Sequence, residues 1–190
     1  MTSEETGAAP APERRPRRVG LLALAAAFVL LADQVTKAVA VAALQGEPPA
    51  RLLGGALYLD LHRNPGAAFS MATGFTWVFT LVAMVVVVAI IRLAPRLRSA
   101  GWAVGLGMVL GGAAGNLCDR LFRAPGPMRG HVVDFLSVFG PNGAYFPIFN
   151  LADSGLSVGG ALIVLLALLG RDYDGTRTSD RRRAGDATTA

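Results

Sequence analysis

Asp134, in Val132-Val133-Asp134-Phe135, and Asp153, in Phe149-Asn150-Leu151-Ala152-Asp153-Ser154, lie beside long apolar stretches of the chain. An ionised carboxylate at the centre of a bilayer costs about 3 kcal/mol even on lenient insertion scales, so acids in such places are functional candidates by default. Two carboxyl groups brought together resist double ionisation and share one proton. Neither aspartate has an adjacent basic residue that would make it half of an ion pair. The chemistry this suggests is acid/base work at a membrane surface.

Further polar residues recur at helical spacing. Asp33 and Lys37 stand four residues apart, Asn116, Asp119 and Arg120 fall at i, i+3 and i+4, and Asn150, Asp153 and Ser154 repeat that interval. Each set therefore shares one face of its helix. Buried ion pairs that join helices and contacts to a substrate both account for Asp33, Lys37, Asp119 and Arg120, and the residues alone leave that choice open. Gly111-Gly112-Ala113-Ala114-Gly115 reads as a close helix-packing surface. It lacks the Lys-Ser/Thr ending and the preceding strand of a phosphate-binding loop. No metal or other cofactor is expected. His62 and His131 belong to no helical His-x-x-x-His or His-Glu pair, and the lone Cys118 supplies neither a disulfide nor a zinc set.

Positioning these residues takes helices that cross a membrane. The chain is 53% hydrophobic and 16% charged, with a mean hydropathy of +0.47, the proportions of a membrane protein. Four stretches, 19–43, 75–93, 100–121 and 151–170, approach or exceed the ~20 apolar residues that a ~30 Å hydrocarbon core requires. The expectation is an all-α membrane protein with four transmembrane helices in one domain, 19–170, between basic disordered tails at 1–18 and 171–190. A small extracytoplasmic β element is expected in Ala56-Leu57-Tyr58-Leu59-Asp60-Leu61-His62, which is rich in strand formers and flanked by Gly54-Gly55 and Asn64-Pro65-Gly66. The basic start and Ala38-Val39-Ala40 superficially match a cleavable leader, but the apolar run is too long and Asp33 and Lys37 fall just before the cut. The segment is read as a retained first helix.

A net charge of +5 and a pI near 10.3 would raise nucleic acid as a partner in a soluble domain. Here the arginines sit where a membrane protein orients itself. Arg14, Arg15, Arg17 and Arg18 precede the first span, Arg92, Arg96 and Arg98 flank the second connection, and Arg171, Arg177 and Arg181 to Arg183 follow the last. Both termini and the Arg96 loop are therefore expected in the cytoplasm, and no nucleic-acid partner is expected. At ~1.5 Å per residue Asp33 then lies about 21 Å into the core, in its outer half. The outer ends of the third and fourth spans and the outer loops carrying Asn64 and Asp134 converge on the same level. A proton-coupled transporter would spread its polar residues through both leaflets. This chain gathers them at one end and leaves 161–169 wholly apolar, so transport is the alternative reading.

Five segments, in order, carry a resemblance: Asp33-Gln34-Val35-Thr36-Lys37, Asn64-Pro65-Gly66-Ala67-Ala68-Phe69, Gly111 to Arg120, Val132-Val133-Asp134-Phe135, and Phe149 to Ser154. Together they resemble the lipoprotein signal peptidase (signal peptidase II) family, over residues 33–154. The resemblance implies an intramembrane aspartic endopeptidase of the bacterial cytoplasmic membrane, a multi-pass protease without cofactor. It would remove signal peptides from diacylglyceryl-modified prolipoproteins, with membrane lipids around it and its active site towards the extracytoplasmic side. It implies Asp134 and Asp153 as the catalytic pair, with Asp33, Lys37, Asn64, Asn116, Asp119, Arg120 and Asn150 shaping the site or binding substrate. The stretch 121–130, with Ala124-Pro125-Gly126-Pro127, is longer than the family norm.

Overall fold

The computed structural model describes residues 16–66, 76–177 and 179. Helix α1 (Val19–Leu44) shows why the chain needs a bilayer. Leu24, Phe28, Leu31, Val35 and Val39 form an exposed stripe at helical spacing, while Leu22, Ala26, Asp33, Lys37 and Ala40 form the buried one. The apolar side faces outward and the charges inward, the reverse of a water-soluble helix. Helices α2 (Thr76–Leu93), α3 (Ala100–Phe122) and α4 (Leu151–Leu168) complete the set. Each is long and apolar enough to cross a membrane, giving four such helices among the described residues. Ala67, Ala68 and Phe69 of the Asn64 motif, and residue 75 at the start of the expected second span, lie outside the described residues.

Helix α3 is central and packs against α1, α2 and α4. Its glycines make this possible. A Cβ at Gly107 would meet the carbonyl oxygen of Leu22 at 2.7 Å, and one at Gly111 would press on Ala26 O and Val29, so these two positions form the α1 face. On the other side, a Cβ at Gly105 would meet Ile163 at 2.9 Å, and one at Gly112 would strike Ala152 O and Leu156. Small residues here let backbones approach where lipid gives no hydrophobic drive to helix association. One end of the bundle is closed by a buried apolar cluster of Leu22, Ile90, Ala94, Leu97, Ala103 and Leu106.

The opposite end carries a three-stranded antiparallel sheet in the order β1 (Ala50–Leu52), β2 (Leu57–Asn64), β3 (Val132–Val138). The expected β element at 56–62 is β2; its neighbours β1 and β3 were not read from the sequence. Strand β3 also takes a short bridge on its free side. Phe149 O accepts from the amides of Phe135 and Leu136, and Phe149 N donates to Leu136 O at 3.0 Å, so the chain entering α4 is fastened to β3.

The C-terminal tail, expected without fixed structure from 171, is folded as far as Arg177. Tyr173 O accepts from the amides of Arg98 and Ser99 at 2.9 and 3.0 Å, and the Trp102 indole donates to Arg171 O at 2.7 Å. The Tyr173 and Trp102 rings meet edge to face at 6.4 Å. The packed Tyr173 and Trp102 rings and the Trp102 indole hydrogen bond outweigh the local polar composition.

Candidate active site

Asp134 is delivered by β3 and Asp153 by the first turn of α4, and both line one cavity of about 460 Å³. Asn64, Asn116 and Arg120 share its polar wall, while Val132, Phe149 and Val158 belong to its apolar one. Asn150 stands between the two acids. Its side-chain nitrogen donates to Asp134 Oδ1 at 2.6 Å, its side-chain oxygen accepts from the Asp153 amide at 2.9 Å, and its own amide donates to Asp153 Oδ2 at 3.2 Å. The last two bonds form a capping box at the start of α4, so the device that begins the helix also fixes Asp153.

Three asparagines face the carboxylates, and each is turned by an obligate donor on its oxygen. Gly66 N donates to Asn64 Oδ1 at 2.9 Å, leaving the Asn64 nitrogen to reach Asp134 Oδ2 at 3.0 Å. Lys37 Nζ donates to Asn116 Oδ1 at 3.0 Å, leaving the Asn116 nitrogen for Asp153 Oδ1 at 2.8 Å. The Asp153 amide does the same for Asn150. An ammonium or a backbone N–H can only donate, so each amide nitrogen is left pointing at an acid. The register explains the reach of Asn64: it pairs with Val132 while His62 pairs with Asp134, which makes Asn64 and Asp134 diagonal neighbours.

Beneath the cavity lies a closed ion cluster. The three N–H groups of Lys37 go to Asp33 Oδ2 at 2.8 Å, Asp119 Oδ2 at 2.8 Å and Asn116. Asp33 Oδ1 accepts from the Ala152 amide at 2.9 Å, tying α1 to α4, and Asp119 Oδ2 accepts from Val133 N at 3.1 Å, tying α3 to β3. Arg123 completes the set on Asp119 Oδ1 at 2.5 Å. Asp33, Lys37 and Asp119 are buried, linked through Lys37, and absent from the cavity wall. Arg120 differs, lining the cavity with its charge close to Asp153 and Asp134. Among the described residues no buried side-chain nitrogen or oxygen lacks a partner.

Burial first, and then the charge of Asp153, push the Asp134 carboxyl from an ordinary value of 3.8 up to about 7, against the lowering hydrogen bonds from Asn64 and Asn150. The long stretch 121–130 does not displace Asp134. It folds back on the end of α3, with Gly130 N donating to Arg120 O and His131 N to Ala124 O, both at 3.0 Å. Two contributors escaped the sequence reading, Gln34, which donates to Gly115 O and Asp33 Oδ2 at 3.1 Å, and Arg123. The i,i+4 spacing of Asp119 and Arg123 was the available signal.

Fold and site together define a multi-pass membrane protein with two carboxyl groups in one cavity at one end of a helical bundle. The sequence profile of the family described as Signal peptidase (SPase) II matches residues 25–169. A lipoprotein signal peptidase of Mycobacterium avium is 52% identical over 98% of both chains. One of Rhodococcus jostii is 54% identical over 90% of this chain and 83% of its own. A solved bacterial membrane enzyme, determined by the in meso method, superposes with a TM-score of 0.69 at 29% identity, covering 82% of this chain and 97% of that one. The chain belongs to the signal peptidase II family, the bacterial membrane peptidases that remove signal peptides from prolipoproteins. The transporter reading finds no support in these relatives.

Proposed function

We propose that hydrolysis here is of the aspartic type, with Asp134 and Asp153 as the catalytic pair, acting on diacylglyceryl-modified prolipoproteins at the extracytoplasmic face of the cytoplasmic membrane. The observation that carries this reading is the sharing of one cavity by two carboxyl groups joined through Asn150. The ionised member takes a proton from water as that water attacks the scissile carbonyl, and the protonated member donates to the developing oxyanion. The protein forms no covalent bond to the substrate. Charge supports a single shared proton: Asp33, Asp119, Asp134 and Asp153 face Lys37, Arg120 and Arg123, so one proton on the pair leaves the assembly neutral. Asn64, Asn116 and Asn150 hold the pair, while Arg120 and the apolar wall receive substrate. The signal helix and acyl chains remain in lipid, and water enters from the surface.

Purified Asp134→Asn and Asp153→Asn proteins should each lose more than about a thousandfold in cleavage of a lipid-modified prolipoprotein, because an amide hydrogen-bonds but does not cycle a proton. Retained helical content and an undiminished melting temperature would establish that both variants fold. Wild-type turnover by either one in detergent would remove that residue from the chemistry.

A further inference from the structure

The end of the bundle away from the paired carboxyl groups holds a second cavity, of about 600 Å³, whose wall among the described residues carries Arg18, Arg98, Arg171 and Arg177 and one acid, Asp172. Peptide hydrolysis makes no use of it. Arg171 and Arg177 stand opposite each other across an antiparallel bridge. The turn between them is tightly closed: Asp172 N donates to Thr176 O at 3.0 Å, and Asp174 Oδ1 accepts from Thr176 N at 2.9 Å and Thr176 Oγ1 at 2.7 Å. Like charges directly opposite in a strand pair repel. Both side chains line the cavity wall, so an anion bound there would offset their mutual repulsion. Helix α3 starts in the same wall, with no side-chain cap from Ser99 and no acid in its first turn, so its positive end adds to the field.

Place and shape narrow the anion. The cavity lies where α1 and α3 begin and α4 has just ended, the level of lipid headgroups for a bundle that crosses a bilayer. Arg171 and Arg177 also border a neighbouring cavity formed with Leu168 and Leu169, which are 80% and 59% exposed. We propose that this arginine-lined cavity binds the phosphodiester headgroup of an anionic phospholipid whose acyl chains run along Leu165, Leu168 and Leu169. Planar guanidinium groups match phosphate oxygens in pairs. A zwitterionic lipid brings its own ammonium among the arginines and is disfavoured.

The full chain, delipidated in neutral detergent, is titrated with phosphatidylglycerol, with phosphatidylcholine of the same acyl chains, and with inorganic phosphate, and followed by native mass spectrometry and thermal melting. Phosphatidylglycerol should be retained about tenfold more tightly than phosphatidylcholine. The Arg171→Gln/Arg177→Gln double variant should lose more than about tenfold of that retention, each arginine at the headgroup level counting for roughly fivefold. Arg92→Gln, in the last turn of α2 and outside the cavity, should keep it. Cleavage at the wild-type rate checks that the double variant folds; if it does not, Arg18→Gln alone should lose about fivefold. Inorganic phosphate that displaces the lipid supports the same site with free phosphate as a ligand, and phosphate without effect supports the lipid alone. Equal retention of the two lipids, undiminished binding by the arginine variants, or an equal loss in Arg92→Gln would overturn the proposal.

Discussion

Asp134 keeps its proton at a pH where an ordinary carboxyl has lost it, and that has consequences for both stability and turnover. With 1% of its surface exposed and Asp153 nearby, its carboxyl titrates at about 7 when folded and near 3.8 in an unfolded chain. Between those values the folded chain holds a proton that the unfolded chain has released. Stability is therefore greatest below about pH 4 as far as this group is concerned, and falls by up to about 4 kcal/mol as pH rises to 7. Asp134→Asn has no such proton to lose. Its amide leaves one of the Asn64 and Asn150 donors unmatched, so the check is the slope: between pH 4 and pH 8 its melting temperature should fall by several degrees less than that of the wild type. Turnover by the wild type should fall about tenfold per pH unit above about 7, as the pair loses its one proton. A cleavage profile that stays flat to pH 9 would show that Asp134 does not hold the working proton.

The acids were legible in the sequence because charge beside hydrocarbon is conspicuous, and the helices because their apolar runs match a bilayer. Strand β3 was not legible. Val132, Val133, Asp134 and Phe135 are all buried, so the strand shows no alternation, and its partner β2 lies about seventy residues earlier in the chain. The three-residue β1 is too short for any period. Nor do sequence intervals reveal which way the Asn116 amide faces, since that depends on Lys37 arriving from α1; only the Asn64–Gly66 contact is local. The glycine surface of α3 was legible, and it makes a test. Gly112→Ala places a methyl group against the Ala152 carbonyl, next to Asp153, whereas Gly160 has nothing within 4 Å of an added Cβ. Gly112→Ala should cost about 1–3 kcal/mol and lower cleavage more than tenfold by shifting Asp153 from Asn116. Gly160→Ala should leave activity unchanged and stabilise α4 slightly. Melting curves and turnover on the two variants compare one chemical change in two settings, and equal losses would refute the packing role assigned to Gly112.

The molecule as a whole is electrically lopsided, and that predicts its orientation in the membrane. Arg18, Arg92, Arg96, Arg98, Arg171 and Arg177 gather at the end away from the paired acids. The other end carries Arg51, Arg63, Arg120, Arg123 and Arg129, but its acids Asp33, Glu47, Asp60, Asp119, Asp134 and Asp153 offset them and Lys37, with Arg123 paired to Asp119 and Arg120 near Asp153 and Asp134. By the positive-inside bias we expect the acids on the extracytoplasmic side. Two single-cysteine proteins, made after Cys118 is replaced by alanine, test this in intact cells with a membrane-impermeant thiol reagent. Position 96 is exposed in the arginine-rich turn, and Tyr145, 77% exposed, stands in the loop between β3 and α4. Tyr145 is a better site than its neighbour Gly143, whose φ of +66° would strain any side chain placed there. Tyr145→Cys should label in intact cells and Arg96→Cys only after the membrane is permeabilised. The opposite pattern would turn the cavity of Asp134 and Asp153 towards the cytoplasm, where it would meet signal peptides before export and without access to substrates presented from the outer leaflet.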